Sequence, residues 1–288
     1  MSPVYTKDDF LFFKEVNKPE MILGDRLIIE PAKLADTIKY INKNSIKSIT
    51  INPAYFVVEH LDFLKDIPAI EGLYLLQQFS DLSDIHCLKS LRALTFNKIN
   101  KPLDFDNFPQ LEVLGTDYNK HLINLAGCKK LFWLWLDKFN HDDIGALKGL
   151  SNLSYLNLYS TTIKSLEGIQ HLKSLTHLRI ITASRLETLN GISLENILRV
   201  IDIDNAKKLS DYNSIRNAKE LDTLFLSRSG NADDLSFIDG LSKLNKIILG
   251  INILNGDLNP LLSIKDVSFT DHSHYSLKFK EFKKKDDY

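Results

Sequence analysis

The stretch Leu153-Ser-Tyr-Leu156-Asn-Leu158 is the clearest copy of a phrase that recurs along the chain, in which three apolar residues occupy the first, fourth and sixth positions. The other copies begin at Ile46, Ile70, Leu91, Leu111, Leu131, Leu175, Leu198, Leu221, Leu244 and Ile264. Consecutive copies start 20 to 24 residues apart. A nearly constant period of this length is typical of repeat architectures, because one such unit buries its apolar face only by stacking on its neighbours.

Within each phrase the apolar residues alternate as on a β-strand that has one buried face. In Leu131-Phe-Trp-Leu134-Trp-Leu136 the three leucines should point into the body of the protein, and Trp133 and Trp135 should point outward. Neighbouring copies run in the same direction, so the pattern predicts parallel pairing into one long sheet. About a dozen residues remain for each return path, a length that favours short helical or 3₁₀ turns over full helices.

A full repeat can be followed through Leu153, Leu156, Leu158, Thr161, Ile163, Leu166, Ile169 and Leu172. This pattern resembles the short internalin-like class of leucine-rich repeat. The resemblance implies an α/β solenoid with one long parallel sheet on its concave face and short helical or 3₁₀ turns on its convex face. Asparagine at the ninth position of the repeat is present in only some copies, such as Asn119 and Asn252, so we expect an incomplete asparagine ladder and other partners for the buried turn backbone.

The chain is predicted to contain an N-terminal cap over residues 1–45, eleven repeats over 46–269, and a C-terminal cap with a frayed tail over 270–288. The N-terminal cap should consist of a helix over Asp8–Val16, a strand at Leu27-Ile28-Ile29, and a helix over Pro31–Asn42. The alternation of Tyr275, Leu277 and Phe279 predicts a last strand in the C-terminal cap. Caps are expected because the ends of an apolar column must be covered.

Composition narrows the classes of function. The formal net charge of −1 argues against a general polyanion binder, so no nucleic acid is expected as a partner. The two cysteines, Cys87 and Cys128, would lie about 10 Å apart in stacked repeats, too far for a disulfide. Without an apolar membrane span or a signal-peptide pattern in this sequence, a cytoplasmic location is the simplest expectation, with no membrane partner. The oligomeric state does not follow from the sequence, and a monomer is the default expectation.

The candidate functional residues lie in the outward columns of the predicted sheet, and large aromatic residues cluster in the middle repeats. We predict partner contacts from Trp133, Trp135, Tyr155, Tyr159, His177, Arg179, Asp202, Asp204 and Phe225. Tryptophan, tyrosine and arginine dominate interface hot spots, because they bury large areas at low entropic cost. The tryptophans and tyrosines would be the anchors, His177 and Arg179 would add stacking or charged hydrogen bonds, and Asp202 and Asp204 would steer a basic partner.

A structural interpretation competes with the interface interpretation. Aromatic side chains on a parallel sheet can stack across neighbouring strands and stabilise only one another. A register shift of one residue would send Trp135 inward, although the leucines at 131, 134 and 136 argue against such a shift.

Catalytic interpretations receive little support from the sequence. It contains no Gly-rich phosphate loop, Walker motif, H-E-x-x-H or C-x-x-C. His177 with Asp202 or Asp204 resembles part of a catalytic set, but no nucleophile is evidently placed beside it. His272 and His274 are an incomplete metal site. We therefore predict no enzymatic activity, no catalytic residues, no metal site and no cofactor.

These observations predict a non-catalytic scaffold that binds a partner protein on its sheet face. One specific version is an immunity protein that masks a toxin, and another is a host-directed effector or adhesin fragment. The alternative from a different class is a binding protein for a carbohydrate or peptidoglycan fragment, in which the same aromatic residues stack on sugar rings.

Overall fold

The structure, a computed structural model, describes residues 4–15, 19–20 and 22–283. The chain divides into two compact units, Met1–Trp135 and Leu136–Tyr288. This boundary differs from the predicted boundaries between caps and repeats after residues 45 and 269, and that division stays a prediction.

Both units consist largely of short parallel strands joined by return segments, most of which contain 3₁₀ turns. The strands are β1 Val4–Lys7, β2 Phe10–Phe13, β3 Arg26–Ile28, β4 Ser48–Ile51, β5 Gly72–Leu75, β6 Ala93–Thr95, β7 Leu103–Asp104, β8 Val113–Asp117, β9 Leu122–Ile123, β10 Trp133–Asp137, β11 Tyr155–Thr161, β12 His177–Ala183, β13 Val200–Asp204, β14 Thr223–Ser227, β15 Lys246–Gly250 and β16 Asp266–Phe269. The α-helices are α1 Leu34–Asn44 and α2 Phe279–Lys283. Within the described residues this is the parallel-strand leucine-rich repeat solenoid that the sequence predicts.

In the first unit the main sheet runs in the order β1-β2-β3-β4-β5-β6-β8, and β7 and β9 form a separate parallel pair. Strands β1, β2 and β3 pair antiparallel, and parallel pairing begins between β3 and β4. Strand β10 crosses the boundary between the two units. In the second unit β11 to β16 pair in parallel in chain order.

The strands bury one face and leave the other partly open. In β10 and again in β13, β14 and β15, buried and half-buried residues alternate without exception. The inward leucines of the clearest repeat, Leu153, Leu156 and Leu158, are fully buried. The predicted register is therefore confirmed, because a shift of one residue would have reversed this alternation.

The return segments contain 3₁₀ turns, as predicted. They lie at Pro31–Lys33, Asp62–Asp66, Ser83–Cys87, Phe105–Asn107, Leu125–Gly127, Gly145–Leu147, Ile169–His171, Asn213–Asn217, Ser236–Ile238 and Asn259–Ser263. Many of these 3₁₀ turns are preceded by an Asx turn, in which an aspartate carboxylate accepts a hydrogen bond of 2.8 to 3.1 Å from the backbone N–H two residues later. This Asx turn is formed by Asp81, Asp104, Asp143, Asp211, Asp234 and Asp257.

The ninth position of the repeat uses several substitutes for asparagine, as expected. The Thr161 hydroxyl donates to the Phe139 carbonyl of the preceding repeat at 2.7 Å. The Ser229 hydroxyl accepts from the Ala206 backbone N–H at 3.1 Å. These hydroxyls form hydrogen bonds with buried backbone groups, as the side chains of an unbroken asparagine ladder would.

The predicted helix over Asp8–Val16 is wrong over its described part. Asp8 and Asp9 have φ angles of 51° and 67°, which is the geometry of a two-residue type I′ turn between antiparallel strands. They join β1 to β2, and Phe10–Phe13 is extended because its aromatic residues favour a strand. Val16 lies outside the described residues.

The other cap predictions had mixed outcomes. The strand at Leu27 and the helix that follows Pro31 are confirmed as β3, a 3₁₀ turn and α1. The predicted last strand through Tyr275 is wrong, because this segment consists of turns that lead into α2. Tyr275 is nevertheless buried, and its hydroxyl accepts a hydrogen bond of 2.9 Å from the Ile253 backbone N–H. The predicted frayed tail lies outside the described residues beyond Lys283.

The eighth position of successive repeats in the second unit has a left-handed backbone. Ser160, Thr182, Asn205 and Arg228 have φ angles of 49°, 61°, 61° and 50°. Ser160 and Thr182 lie one residue before the ends of β11 and β12, and Asn205 and Arg228 directly follow β13 and β14. Thr182 is the most strained of these residues, because its β-branched side chain adds steric cost to a left-handed conformation.

Relief of this strain predicts an increase in stability for Thr182→Gly. A left-handed backbone costs a non-glycine residue about 1–2 kcal/mol, and the greater freedom of glycine in the unfolded chain offsets about 0.5–1 kcal/mol of that gain. We expect the free energy of unfolding, measured by urea denaturation, to rise by about 0.5–1 kcal/mol.

The matched control is Thr162→Gly, since Thr162 is not among the left-handed residues. It should lower the free energy of unfolding, because glycine there adds unfolded-state entropy without relieving strain. Equal losses of stability in the two variants would contradict the strain interpretation.

Candidate functional site

The outward face of the second unit is organised in columns that the strand register defines. Arg179 pairs with Asp202, Asp202 with Phe225, and Phe225 with Ile248. Asn157 precedes this fifth-position column and Ser268 ends it. Each strand thus contributes one side chain at each step, about 4.8 Å from the next strand. The columns derived from the repeat spacing match this register.

Tyr155 and His177 form a stacked pair at the start of β11 and β12. Their ring centroids lie 4.2 Å apart with an interplanar angle of 21°, and both side chains are half-buried. The His177 Nδ1 atom lies 2.9 Å from the Thr176 hydroxyl. Burial lowers the pKa of His177 below its ordinary 6.5, and the positive charge of Arg199 lowers it further. The sequence placed these rings on the same face, and their stacking is the cross-strand contact that the structural interpretation describes.

The charged residues of the face pair with one another across strands. Arg179 Nε lies 2.9 Å from Asp202 Oδ2. Asp204 accepts a bidentate interaction from Arg228, with the Arg228 Nε atom 2.8 Å from Asp204 Oδ1. Burial raises the pKa of Asp202, which Arg179 opposes, whereas the contact with Arg228 lowers the pKa of Asp204. Both carboxylates are thus engaged by arginines of the same chain. In a catalytic pair the carboxylate would instead orient the imidazole of His177.

Arg228 and Ile248 were not among the predicted contact residues. Arg228 occupies the eighth position of its repeat, outside the three outward columns, and its side chain reaches Asp204 on the preceding strand. Ile248 follows Phe225 in the fifth-position column, where the repeat spacing alone would have found it. Tyr159 and Ile181 are paired in the seventh-position column and are half-buried.

The two tryptophans belong to the first unit, and both are half-buried on the outward side of β10. Trp133 packs against a buried cluster of Tyr74, Ala93 and Val113. The Trp135 ring lies over Gly115, where an added Cβ would come within 3.1 Å of its Cε3 atom. The predicted outward orientation of both rings is confirmed, but each ring packs on neighbouring strands and is only partly exposed, and their role as partner contacts stays a prediction.

The outward face of the first unit is largely buried, so an outward position in the repeat is not by itself an exposed one. Buried outward positions are Ser48, Thr50, Gly72, Tyr74, Ala93, Val113 and Gly115. Ile22 and Leu23 pack against the Tyr74 cluster, and Leu23 lies so close to Gly72 that a Cβ there would meet its Cδ1 atom at 2.6 Å. The N-terminal segment thus covers this face.

Arg26 anchors that segment. Its guanidinium lies 4.0 Å from the Tyr74 ring centroid and 5.0 Å from that of Phe13, which is a double cation–π contact. Arg26 also forms a buried ion pair with Glu15. Burial raises the pKa of Tyr74 to about 12. Nothing in the repeat spacing predicts this cover, because Ile22, Leu23 and Arg26 lie outside the repeats.

The described residues contain no assembled metal site, no disulfide and no membrane-spanning helix. Over 4–15, 19–20 and 22–283 no group of three or more His, Cys, Asp or Glu side chains is arranged to hold a metal ion. Cys87 and Cys128 are not joined by a disulfide, and burial raises the pKa of the Cys128 thiol to about 12. None of the helices in this part of the chain has the length and apolar character needed to cross a membrane.

Comparison with characterised proteins gives distant matches. No family model matches the chain. A putative disease resistance protein of Arabidopsis thaliana is 25% identical over 201 residues, which are 67% of this chain and 21% of that protein. The disease resistance protein UNI of the same plant is 27% identical over 238 residues, which are 77% of this chain and 25% of that protein. The chain therefore spans a quarter or less of the length of these relatives.

Solved structures support the fold. An internalin, InlF of Listeria monocytogenes, superposes with a TM-score of 0.50 at 20% identity, covering 79% of this chain and 81% of its own. The Toll protein in the Drosophila Toll–Spätzle complex gives 0.53 at 15% identity, with 81% and 35% covered. TLR13 in its complex with ssRNA13 gives 0.52 at 18% identity, with 79% and 33% covered. These neighbours share the fold of a leucine-rich repeat solenoid, and the repeats of this chain agree with that fold.

The environment of His177 predicts an unusual titration. Because its pKa is lowered, the neutral imidazole stabilises the folded state above pH 6.5, and that stability is lost as the pH falls through the folded-state value. Tyr155→Ala should shift the NMR titration midpoint of His177 upward toward 6.5, because it removes the ring that shields the imidazole from water.

Arg199→Ala is the companion variant, and it should produce a smaller upward shift because it removes only the secondary cause. A midpoint that falls in Tyr155→Ala would show that the ring stabilises the imidazolium, contrary to this account.

Proposed function

We propose that the chain is a non-catalytic scaffold that binds a partner protein on the outward sheet face of its second unit. One observation carries this proposal. The outward side chains of β11 to β15 stay half-exposed or exposed although they include Tyr155, His177, Val200, Phe225 and Ile248, while the equivalent positions of the first repeats are buried beneath the N-terminal segment. The interior is closed without these side chains, so the fold does not require them to be apolar.

Rigid presentation is the proposed mechanism. The parallel ladder orders the face before any partner arrives, and cross-strand contacts such as the Tyr155–His177 stack and the Arg179–Asp202 ion pair hold the side chains in place. Binding then costs little additional conformational entropy. Trp133 and Trp135 remain proposed contact residues of the first unit, and Tyr159 remains one of the second.

A more specific version is that the chain masks a toxin as an immunity protein. A preformed face of this kind blocks an active site by covering it, without chemistry of its own. Among the structural neighbours, Toll is in complex with Spätzle and TLR13 with ssRNA13, so proteins that share this fold bind ligands of more than one class. The net charge of −1 favours a protein over a nucleic acid for this chain.

The test is affinity capture from native cells with quantified recovery. Phe225→Ala should reduce recovery of the partner, since truncation of an interface anchor costs on the order of 2 kcal/mol, about thirtyfold in affinity. The control is Leu194→Ala, which removes a comparable exposed apolar side chain from a return segment and should leave recovery unchanged. Equal recovery of the partner by the wild type, Phe225→Ala and Leu194→Ala would contradict the proposed site. If the captured partner is a toxin, its activity should be titrated to zero by stoichiometric chain.

The alternative function, binding of a carbohydrate or peptidoglycan fragment, rests on the same aromatic side chains and has its own test. Sugar rings stacked on Trp133 or Trp135 should change the intrinsic tryptophan fluorescence, because both indoles are partly exposed. We expect no saturable response to millimolar muropeptides or oligosaccharides. A saturable response that Trp135→Phe abolishes would favour the alternative over protein binding.

A further inference from the structure

The charges on the outward face of the second unit suggest the chemistry of its partner, an inference that rests on the proposed function. Three cross-strand ion pairs lie on or beside this face: Arg179 with Asp202, Arg228 with Asp204, and Lys246 with Asp266. Each pair is neutral in sum, so the face has no net charge from these six residues. What a partner meets therefore depends on which member of each pair is nearer to solvent.

In both arginine pairs the cation is the outer member. The Arg179 side chain is 51% exposed and that of Asp202 is 24% exposed. The difference is larger for Arg228 and Asp204, at 67% and 18%. The Lys246–Asp266 pair, at the far end of the sheet, has the opposite order, with exposures of 39% and 56%. The carboxylates of Asp202 and Asp204 thus support the arginines from below and are poorly placed to contact a partner.

The arginines keep donors for a ligand. A guanidinium carries five N–H groups in a fixed plane. Arg179 directs Nε at Asp202, while Arg228 directs Nε and Nη2 at Asp204. The remaining N–H groups lie on more exposed side chains, and they match the bidentate geometry of a carboxylate.

Arg228 combines an unfavourable backbone conformation with a bidentate side-chain contact to Asp204. Its φ angle of 50° is in the left-handed region, which is unfavourable for arginine. The same conformation recurs at the eighth position of the neighbouring repeats, at Ser160, Thr182 and Asn205, so it belongs to the geometry of the repeat. The bidentate contact with Asp204 fixes the guanidinium of Arg228, which follows the last residue of β14 and lies three residues after Phe225 in the chain.

The two guanidiniums flank an apolar centre. Phe225 is separated from Arg179 by one strand in the fifth-position column, with Asp202 between them, and Ile248 follows Phe225. We propose that the partner presents an acidic, apolar segment, with carboxylates on Arg179 and Arg228 and an aromatic or aliphatic side chain on Phe225 and Ile248. This reverses the sequence-based prediction that Asp202 and Asp204 steer a basic partner.

Selection from a phage library of random 12-residue peptides on the immobilised full chain tests this proposal. Peptides enriched on the wild type but lost on Phe225→Ala should contain Asp or Glu beside aromatic or aliphatic residues. The double variant Arg179→Asp/Asp202→Arg keeps the ion pair and reverses the outer charge at that position, so it should lose these peptides and favour peptides with a basic residue.

Affinity measurements with the best labelled peptide complete the test. Arg179→Ala and Arg228→Ala should each weaken binding about tenfold, as expected for a charge-assisted hydrogen bond, and added salt should weaken wild-type binding. Arg216→Ala, which removes an arginine from the 3₁₀ turn Asn213–Asn217, should have no effect.

The outcomes separate this inference from the proposed function. Peptides that depend on Phe225 but carry no acidic residue would overturn the acidic partner and leave the binding face standing. Enrichment of basic peptides on the wild type would restore the original steering role of Asp202 and Asp204. Absence of any peptide that depends on Phe225 would contradict the binding face, and the acidic partner with it.

Discussion

The structure depends on the burial of three apolar side chains per repeat, at the first, fourth and sixth positions of the phrase. In the repeat that begins at Leu153, these three leucines are fully buried, and they are buried only because equivalent residues lie on the adjacent strands. An isolated repeat has no partner for them. This requirement makes the strands parallel and sets their register. It thereby determines which side chains remain on the other face.

The outward face differs between the two units for a reason unrelated to the repeat. In the first unit Ile22 and Leu23 pack onto the outward face, and Arg26 is held there by Glu15, Phe13 and Tyr74. The apolar outward residues Ala93 and Val113 therefore belong to a second small core. In the second unit Phe225 and Ile248 stay half-exposed. These exposed apolar residues require an explanation other than packing within the chain.

Electrostatics on the second-unit face illustrate why residue types alone do not define recognition. Asp202 and Asp204 look like exposed anions in the sequence, but each lies beneath an arginine that is more exposed. The group that remains accessible decides the sign of charge that a partner meets.

The repeat spacing by itself determined the fold class, the strand positions, the inward and outward columns and the 3₁₀ returns, because a strict apolar period admits few ways to bury its leucines. It failed where no period operates: Phe10–Phe13 forms a strand because the Asp8–Asp9 turn reverses the chain, and Tyr275 packs in a turn. Only the tertiary structure decided which outward residues are covered and which member of each ion pair is outermost. Both depend on contacts between segments distant in sequence, such as Leu23 with Gly72 and Asp204 with Arg228, and a local pattern carries no information about such contacts.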